Sequence, residues 1–484
     1  MQRLEKSLLI LKVRGASFLD RFLHFAILNK NVPFTTVGTM PSKSFEKDLT
    51  RGSLTRGILF FSIPLIFSNL LQVLFNIADI AVVGRFAGTI ALGSVGSTAQ
   101  VLFLFTGLIM GIGFGINSIV AYFIGARSKK EIDDSVHTGF IISIVSGLLL
   151  ALLGFIFAEK IMVLIKTKAE LLEGAVTYFR IYILGLPGAA LYNYGYGILS
   201  AAGDTKRPLY FLTFAGTINI ILNLIFVISF KMDCAGVALA SLISEYISAI
   251  LTMATLCRGT GDIKFSFRKI SLNRSVAKRI LKVGIPSGMQ NAIFAFANTF
   301  IQVGVNSFDA VMVAGTAAAS NLDPIVYNAM GAFYSACATF IGQNYGAGNK
   351  KRIKDSAIIA NAYSFVLGAA IGLCFYFFGR KFLGIFTADP EVIDAGMLRL
   401  KIMSFSYCFA TFMDNTIAAN RGLGKTFVPS MIVLAGSCLF RIIWIYTVFA
   451  FFKTIPSLFL LYIFSWCITA AILILYFMRQ YRKI

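Results

Sequence analysis

Runs such as SGLLLALLGFIFA, residues 146–158, and TINIILNLIFVISF, residues 217–230, restrict the fold more than any motif in this chain. Each lies in an apolar stretch of roughly 20 residues, the length a helix needs to cross ~30 Å of hydrocarbon. Strands of a membrane barrel alternate apolar and polar side chains, and these runs do not. Hydrophobic residues make up 57% of the 484-residue chain and charged residues 14%. With a mean hydropathy of +0.79, that is more apolar surface than a soluble core of this size can use. The expected fold is an all-α polytopic membrane protein with about twelve transmembrane helices. Six fall between residues 57 and 257 and six between 278 and 478.

The formal net charge of +22 would suggest nucleic acid as the partner of a soluble protein. Here the basic residues gather in alternate loops. They stand at Arg127, Lys129 and Lys130, at Lys206 and Arg207, and from Arg258 through Lys282. They return at Lys350, Lys351, Arg352 and Lys354, at Arg421 and Lys425, and in the tail RQYRKI. This is the positive-inside pattern, which accounts for the charge without nucleic acid and puts both termini in the cytoplasm.

The two halves repeat. SIPLIFSNLLQVLFNIA aligns with GIPSGMQNAIFAFANTF, setting Pro64 against Pro286 and Asn76 against Asn298 at an offset of 222. GARSKKEIDD aligns with GAGNKKRIKD, and GDTKRP with GKTFVP, both at an offset of 221. Three blocks with nearly one spacing indicate duplication. Six spans per copy give both copies the same orientation, so two pseudo-symmetric six-helix lobes related by an axis along the membrane normal are expected. The expected divisions are a cytoplasmic N-terminal segment (1–50), a first lobe (51–257), a cytoplasmic linker (258–277) and a second lobe (278–484). The first ~40 residues fall outside the repeat. They read as an extension or an upstream start, with Met40 as the working start, or else as a membrane-surface helix.

Seven scattered cysteines without a CxxC pair read as small packing residues, and His24 and His137 lie apart, so a cysteine or histidine metal site is not expected. The chain has no GxxxxGK[ST] sequence for ATP, and neither HExxH nor a GxSxG serine for catalysis within the membrane. A transporter, rather than an enzyme, is the reading that remains.

The polar residues inside the spans carry the functional information. In the first span Asn69, Gln72, Asn76 and Asp79 recur at three, four and three residues, one face of a helix. Such a stripe belongs in the bundle interior or a water-filled cavity. A mid-helix aspartate costs about 2.5–3.5 kcal/mol on insertion scales. Burial disfavours its ionised form, so a proton or a metal cation can neutralise it. The alternative sets Asp79 near the outer surface, paired with Arg85. Asn219 and Asn223 share a face of the fifth span. The sixth supplies Ser241, Ser244 and Glu245, and the fourth Asn193. Each alone is ordinary glue between helices; together, with two acids, they read as a site for a hard cation or a proton.

The second lobe carries Gln290, Asn298, Gln302, Asp323, Asn328, Asp414 and the cation Arg441. Asp414 matches Asn193 at the 221 offset. A structural ion pair between Asp414 and Arg441 is preferred here to a second ion site. Forty-seven phenylalanines and fourteen methionines permit a pocket for large, flat, cationic compounds, although most of the rings must face lipid.

The chain resembles the MATE (multidrug and toxic compound extrusion) transporters, in their DinF-like and MepA-like bacterial branch. The resemblance runs from about Asp48 over nearly the whole chain. It rests on DLTRGSLTRGILFFSIPLIFSNLLQVLFNIADIAVVGRFAG, GFGINSIVAYFIGAR, GDTKRP and IGQNYGAGN taken together. It implies two six-helix bundles in the bacterial cytoplasmic (inner) membrane and export driven by proton or sodium entry. It also implies a coupling-ion site built from Asp79, Asn193, Asn219 and Ser241, with Pro64 at a bend of the first helix. Asn223 stands where relatives carry a second aspartate, and Glu245, one turn after Ser241, is the candidate to restore that charge. The acids that NorM-like proteins use in the seventh span have no clear match.

The expected activity is secondary active efflux of organic, cationic, amphipathic compounds by antiport with H⁺ or Na⁺. No other cofactor is expected, and the working unit is a monomer among membrane lipids. The alternative is a flippase for a lipid-linked sugar, which needs a strongly cationic cavity; Arg441 alone supports that poorly.

Overall fold

A computed structural model of the chain describes residues 47–259 and 263–484. The expectation for residues 1–39, and most of the segment 1–50, lies outside them. Among the described residues the chain makes twelve helical passes and no strand. In the first lobe these are α1 (Leu54–Phe86), α2 (Gly88–Gly125), α3 (Lys129–Leu164), α4 (Ala169–Ile183 with Leu186–Ala201), α5 (Lys206–Ser229) and α6 (Asp233–Cys257). The second lobe has α7 (Arg274–Val305), α8 (Ala310–Ser320 with Asp323–Gly346), α9 (Lys350–Leu383), α10 (Pro390–Gly422), α11 (Phe427–Phe452) and α12 (Ile455–Arg482).

Among the described residues, nine of these helices are long and apolar enough to cross a membrane, and the bent pair of α4 makes ten. The two that fall short are the polar ones. α7 opens on Arg274, Lys278, Arg279 and Lys282, and α10 carries Asp394, Arg399, Lys401, Asp414 and Arg421. They complete each lobe as packed helices; Arg399 and Arg421 are buried, whereas Asp394 and Lys401 are exposed.

Local sequence sets the helix starts. Asn273 accepts from the backbone N–H groups of Ser275 and Val276, Asp309 from Met312, and Asp389 from Glu391, so side-chain oxygens satisfy donors that a first turn leaves unpaired. Proline sets the breaks. α4 bends by 43° between Ile183 and Leu186, ahead of Pro187, and the eighth pass is interrupted just before Asp323 and Pro324. Lacking an N–H, proline restarts a helix more readily than it continues one. The two breaks are not at equivalent points of the repeat, so the lobes have diverged in shape.

The duplication nevertheless survives in the backbone. Left-handed residues recur in pairs across the halves: Arg127 with Gly348, Gly203 with Gly424, and Lys231 with Lys453. The first two pairs keep the 221 spacing, and the third is at 222. The extra residue is accommodated in α11, where Leu434–Leu439 winds as a π-helix between Pro429 and Lys453. An i→i+5 turn takes up one residue more than an α turn.

The lobes meet through the halves of their helices nearest the Lys/Arg-rich loops, called here the basic end. α2 and α8 cross at Gly125 and Gly346, equivalent residues in the repeat. A Cβ on Gly125 would lie 1.8 Å from the Gln343 carbonyl oxygen, and one on Gly346 would lie 1.9 Å from that of Tyr122. Only glycine allows backbones this close. Hydrogen bonds close the same end: Leu49 N to Gln343 Oε1 (3.0 Å), Gln343 Nε2 to Ala201 O (2.7 Å) and Thr339 Oγ1 to Asn117 Oδ1 (3.1 Å). Asn69 Nδ2 donates to the Asn328 carbonyl at 2.9 Å, near the middle of α1. These contacts join the lobes from the basic end up to mid-helix.

Candidate functional site

Phe75 and Asp79 lie one turn apart on α1, and Asn219 and Asn223 one turn apart on α5. The ring of Phe75 covers Gly216, where an added Cβ would meet it at 2.0 Å. Glycine at 216 thus lets the α5 backbone come against α1, and the next two turns of α5 carry both asparagines to Asp79. Asn223 Nδ2 donates to Asp79 Oδ1. With its amide nitrogen toward the carboxylate, Asn219 donates to the same oxygen at 2.8 Å, and its own oxygen accepts from Ser241 N at 3.3 Å. The Ser241 hydroxyl, on α6, lies beside Asp79 and 3.3 Å from the Asn219 amide. Asn219, Asn223 and Ser241 are 6%, 0% and 8% exposed. Three helices therefore enclose one carboxylate with neutral polar groups.

The cluster has an acceptor to spare. Asn223 Oδ1 is buried with no hydrogen-bond partner, and an unpaired buried acceptor is costly. One formal charge with neutral oxygens around it suits a proton or a monovalent cation. Divalent ions ask for more carboxylates or for nitrogen and sulfur ligands. No group of three His, Cys, Asp or Glu is gathered among the described residues. α5 turns to π-helix at Ile225–Ser229, directly after Asn223.

Two of the expected site residues stand apart. Asn193 Nδ2 donates at 2.9 Å to the Ala189 carbonyl of its own helix. Glu245 lies one turn beyond Ser241 toward the basic end, and its carboxylate has no hydrogen bond or ion pair to any described residue. Tyr182 of α4 feels the charge of both Glu245 and Asp79, and Tyr178 that of Asp79. The sequence reading missed these tyrosines; their four-residue spacing in TYFRIYI was the available signal. Pro64 is buried within α1, where it removes one backbone hydrogen bond. Of the polar stripe on α1, Asn69 turns to the second lobe, and Gln72 and Asn76 are exposed.

In the second lobe Arg441 is the charged neighbour of Asp414, but the direct contacts of Arg441 lie elsewhere. Among the described residues no salt bridge joins Asp414 to Arg441. Arg441 donates instead to Asn298 Oδ1 (3.2 Å) and Ser465 Oγ (3.3 Å), and lies 4.6 Å from the Tyr462 ring centroid. The ion pair forms between Asp323 and Arg399. The guanidinium grips both carboxylate oxygens, at 3.2 and 2.6 Å, and Tyr407 donates to one of them. The physical reason is geometric. The break before Asp323 frees the start of the second half of α8 to face α10, where Arg399 presents a fork suited to a carboxylate. Past the π segment of α11 the repeat offset is 222, so Arg441 stands where the first lobe has Asn219, and Ile301 stands where it has Asp79. A cation and an aliphatic side chain in those two places offer no ligand to a second cation.

The MatE family model matches the chain twice, over residues 64–225 and 286–447, the same duplication at a spacing of 222. The chain is 26% identical over 396 residues to "Probable multidrug resistance protein YpnP" of Bacillus subtilis (strain 168), covering 82% of this chain and 86% of that protein. It is 23% identical over 350 residues to a protein named "FAD transporter" from Shewanella oneidensis, covering 72% of this chain and 77% of the relative. Its fold matches a structure described as "Outward-facing conformation of a multidrug resistance MATE family transporter of the MOP superfamily", with a TM-score of 0.85 at 22% identity over 92% of this chain and 99% of that one. Two copies of one family model across most of its length, on twelve helical passes in two lobes, place the chain in the MATE family of membrane transporters.

Proposed function

We propose that this transporter is a secondary active exporter of organic compounds in the bacterial inner membrane, coupled to inward movement of protons or sodium ions through Asp79. The observation that carries this reading is the carboxylate enclosed by Asn219, Asn223 and Ser241, with the free acceptor Asn223 Oδ1 beside it. An ion that neutralises Asp79 stabilises whichever lobe arrangement gives the better cluster, and such differential affinity is what drives a two-state carrier. One elementary charge moving inward through 100 mV supplies about 2.3 kcal/mol, enough for roughly fiftyfold accumulation by one-to-one exchange. Glu245, one turn nearer the basic end, supplies a second carboxylate between Asp79 and that side. With the positive-inside rule, the basic end and both termini face the cytoplasm, and the arrangement described above is the one closed on that side.

Multidrug export is supported by relatives named for multidrug resistance, YpnP among them. Cationic, amphipathic cargo is supported by the acids Asp79, Glu245 and Asp414 within the lobes, and the unit is proposed to work as a monomer. The flippase reading gains one observation, the buried Arg421 between the lobes. The experiment is transport of a cationic dye in proteoliposomes under an imposed pH gradient and, separately, a sodium gradient. Uphill movement under one gradient names the ion; no movement under either sets antiport aside in favour of the flippase.

A further inference from the structure

The basic end holds a buried cation that the coupling site does not use. Arg421, in the last turn of α10, is 2% exposed. Its guanidinium lies between two rings, 4.5 Å from the centroid of Phe114 in the first lobe and 4.8 Å from that of Tyr334 in the second. Its Nε and Nη1 have no hydrogen-bond partner, and among the described residues no carboxylate is an ion-pair or electrostatic neighbour of it. A buried arginine without an acid is costly, and stacking on rings offsets only part of that cost.

The surroundings explain where the missing partner enters. Arg421 lines a small cavity between the lobes together with Phe114, Asn117, Ser200, Ser335 and Ala338. Under the 221 offset these are three equivalent pairs, Phe114 with Ser335, Asn117 with Ala338, and Ser200 with Arg421. The cavity therefore sits on the internal symmetry axis, and one lobe puts an arginine where the other has a serine. The Ser200 hydroxyl, beside Tyr196, is also buried and makes no hydrogen bond of normal geometry. Free volume is about 10 Å³, room for one water, so nothing larger fits until the lobes part. When they part at this end, the face becomes the floor of the opening and Phe114 leaves the guanidinium.

We infer that Arg421, with Ser200, is a binding subsite for one acid group, a carboxylate or phosphate, on the transported compound, reached from the basic end. This inference rests on the transport reading above and adds that the cargo includes aromatic compounds bearing an acid group. Nε and Nη1 are unpaired donors, each able to join Nη2 along one edge of the guanidinium, where a carboxylate takes two parallel hydrogen bonds. Tyr334, on the same lobe as Arg421, stays beside it for an aromatic body.

The test uses a rhodamine dye with a free carboxylate and its methyl ester, which differ at that one group. Each is measured by binding to the purified full-length protein and by transport in proteoliposomes, for wild type, Arg421→Gln and Arg421→Lys. Wild type is expected to prefer the acid by about tenfold or more, the scale of a charge-assisted hydrogen bond. Arg421→Gln should lose that preference while still handling the ester, and Arg421→Lys should keep part of it. A wild type with no preference for the acid overturns the inference, even if Arg421→Gln does not fold. Equal loss for both dyes in Arg421→Gln also overturns it, since that is what a clamp between the lobes would give. If coupled transport fails but wild type binds the acid preferentially, the export reading falls and the subsite stands.

Discussion

Asn223 and Asp79, 144 positions apart, share a hydrogen bond that ties α5 to α1. The neutral amide stands where the family resemblance leads one to expect a second aspartate, so the cluster carries one formal charge. Asn223→Asp places two carboxylates in contact. Like charges so close are relieved by a shared proton or a bound cation. The variant is expected to be stabilised by sodium chloride well beyond an equal concentration of potassium chloride, and more so at high pH. Thermal unfolding in detergent reads this; an identical response to the two salts would mean that position 223 does not face the ion.

Gly216 lets Phe75 lie against α5. Gly216→Ala drives a methyl group into that ring and should cost about 1–3 kcal/mol, the range for overpacking. Because Asn219 and Asn223 follow on the same face, transport should fall further than stability, and adding Phe75→Leu should restore part of both. Full transport by Gly216→Ala would mean that the cluster does not depend on this crossing.

Arg399 and Asp323 form the buried ion pair of the second lobe, 3% and 20% exposed. Removing one partner strands a buried charge, at about 3–5 kcal/mol. Arg399→Met alone should lower thermal stability strongly, and Arg399→Met with Asp323→Asn should recover most of it. A double variant as unstable as the single one would show that the charges do not act as a pair.

How much of this was legible in the sequence depends on what each residue touches. Helical spacing was enough to put Asp79, Asn219, Asn223 and Ser241 on inward faces, because a polar group in an apolar run has few places to go. It was not enough for Asn193, whose amide can bond its own helix at Ala189. Arg421 read as a loop cation because Lys425 follows four residues later; in the fold it is the last buried turn of α10. Asp414 and Arg441 are electrostatic neighbours, but helix period could not say that Arg441 would donate its direct hydrogen bonds to Asn298 and Ser465. The break before Asp323, which gives that acid to Arg399, was concealed within one apolar span.

Glu245 is one turn from Ser241 and has no described partner. If it passes ions between Asp79 and the basic end, Glu245→Gln should slow uphill transport severalfold while substrate affinity stays unchanged. Initial rates and equilibrium binding separate the two effects. Unaltered coupling would make Glu245 a packing residue at the bend of α4.

The most direct measurement compares wild type with Asp79→Asn in proteoliposomes, following both downhill dye exchange and uphill transport under an ion gradient. Asn preserves the shape of the side chain and removes its titratable charge. Exchange should persist in the variant and gradient-driven accumulation should vanish. Accumulation at the wild-type level would contradict the assignment of Asp79 as the coupling residue.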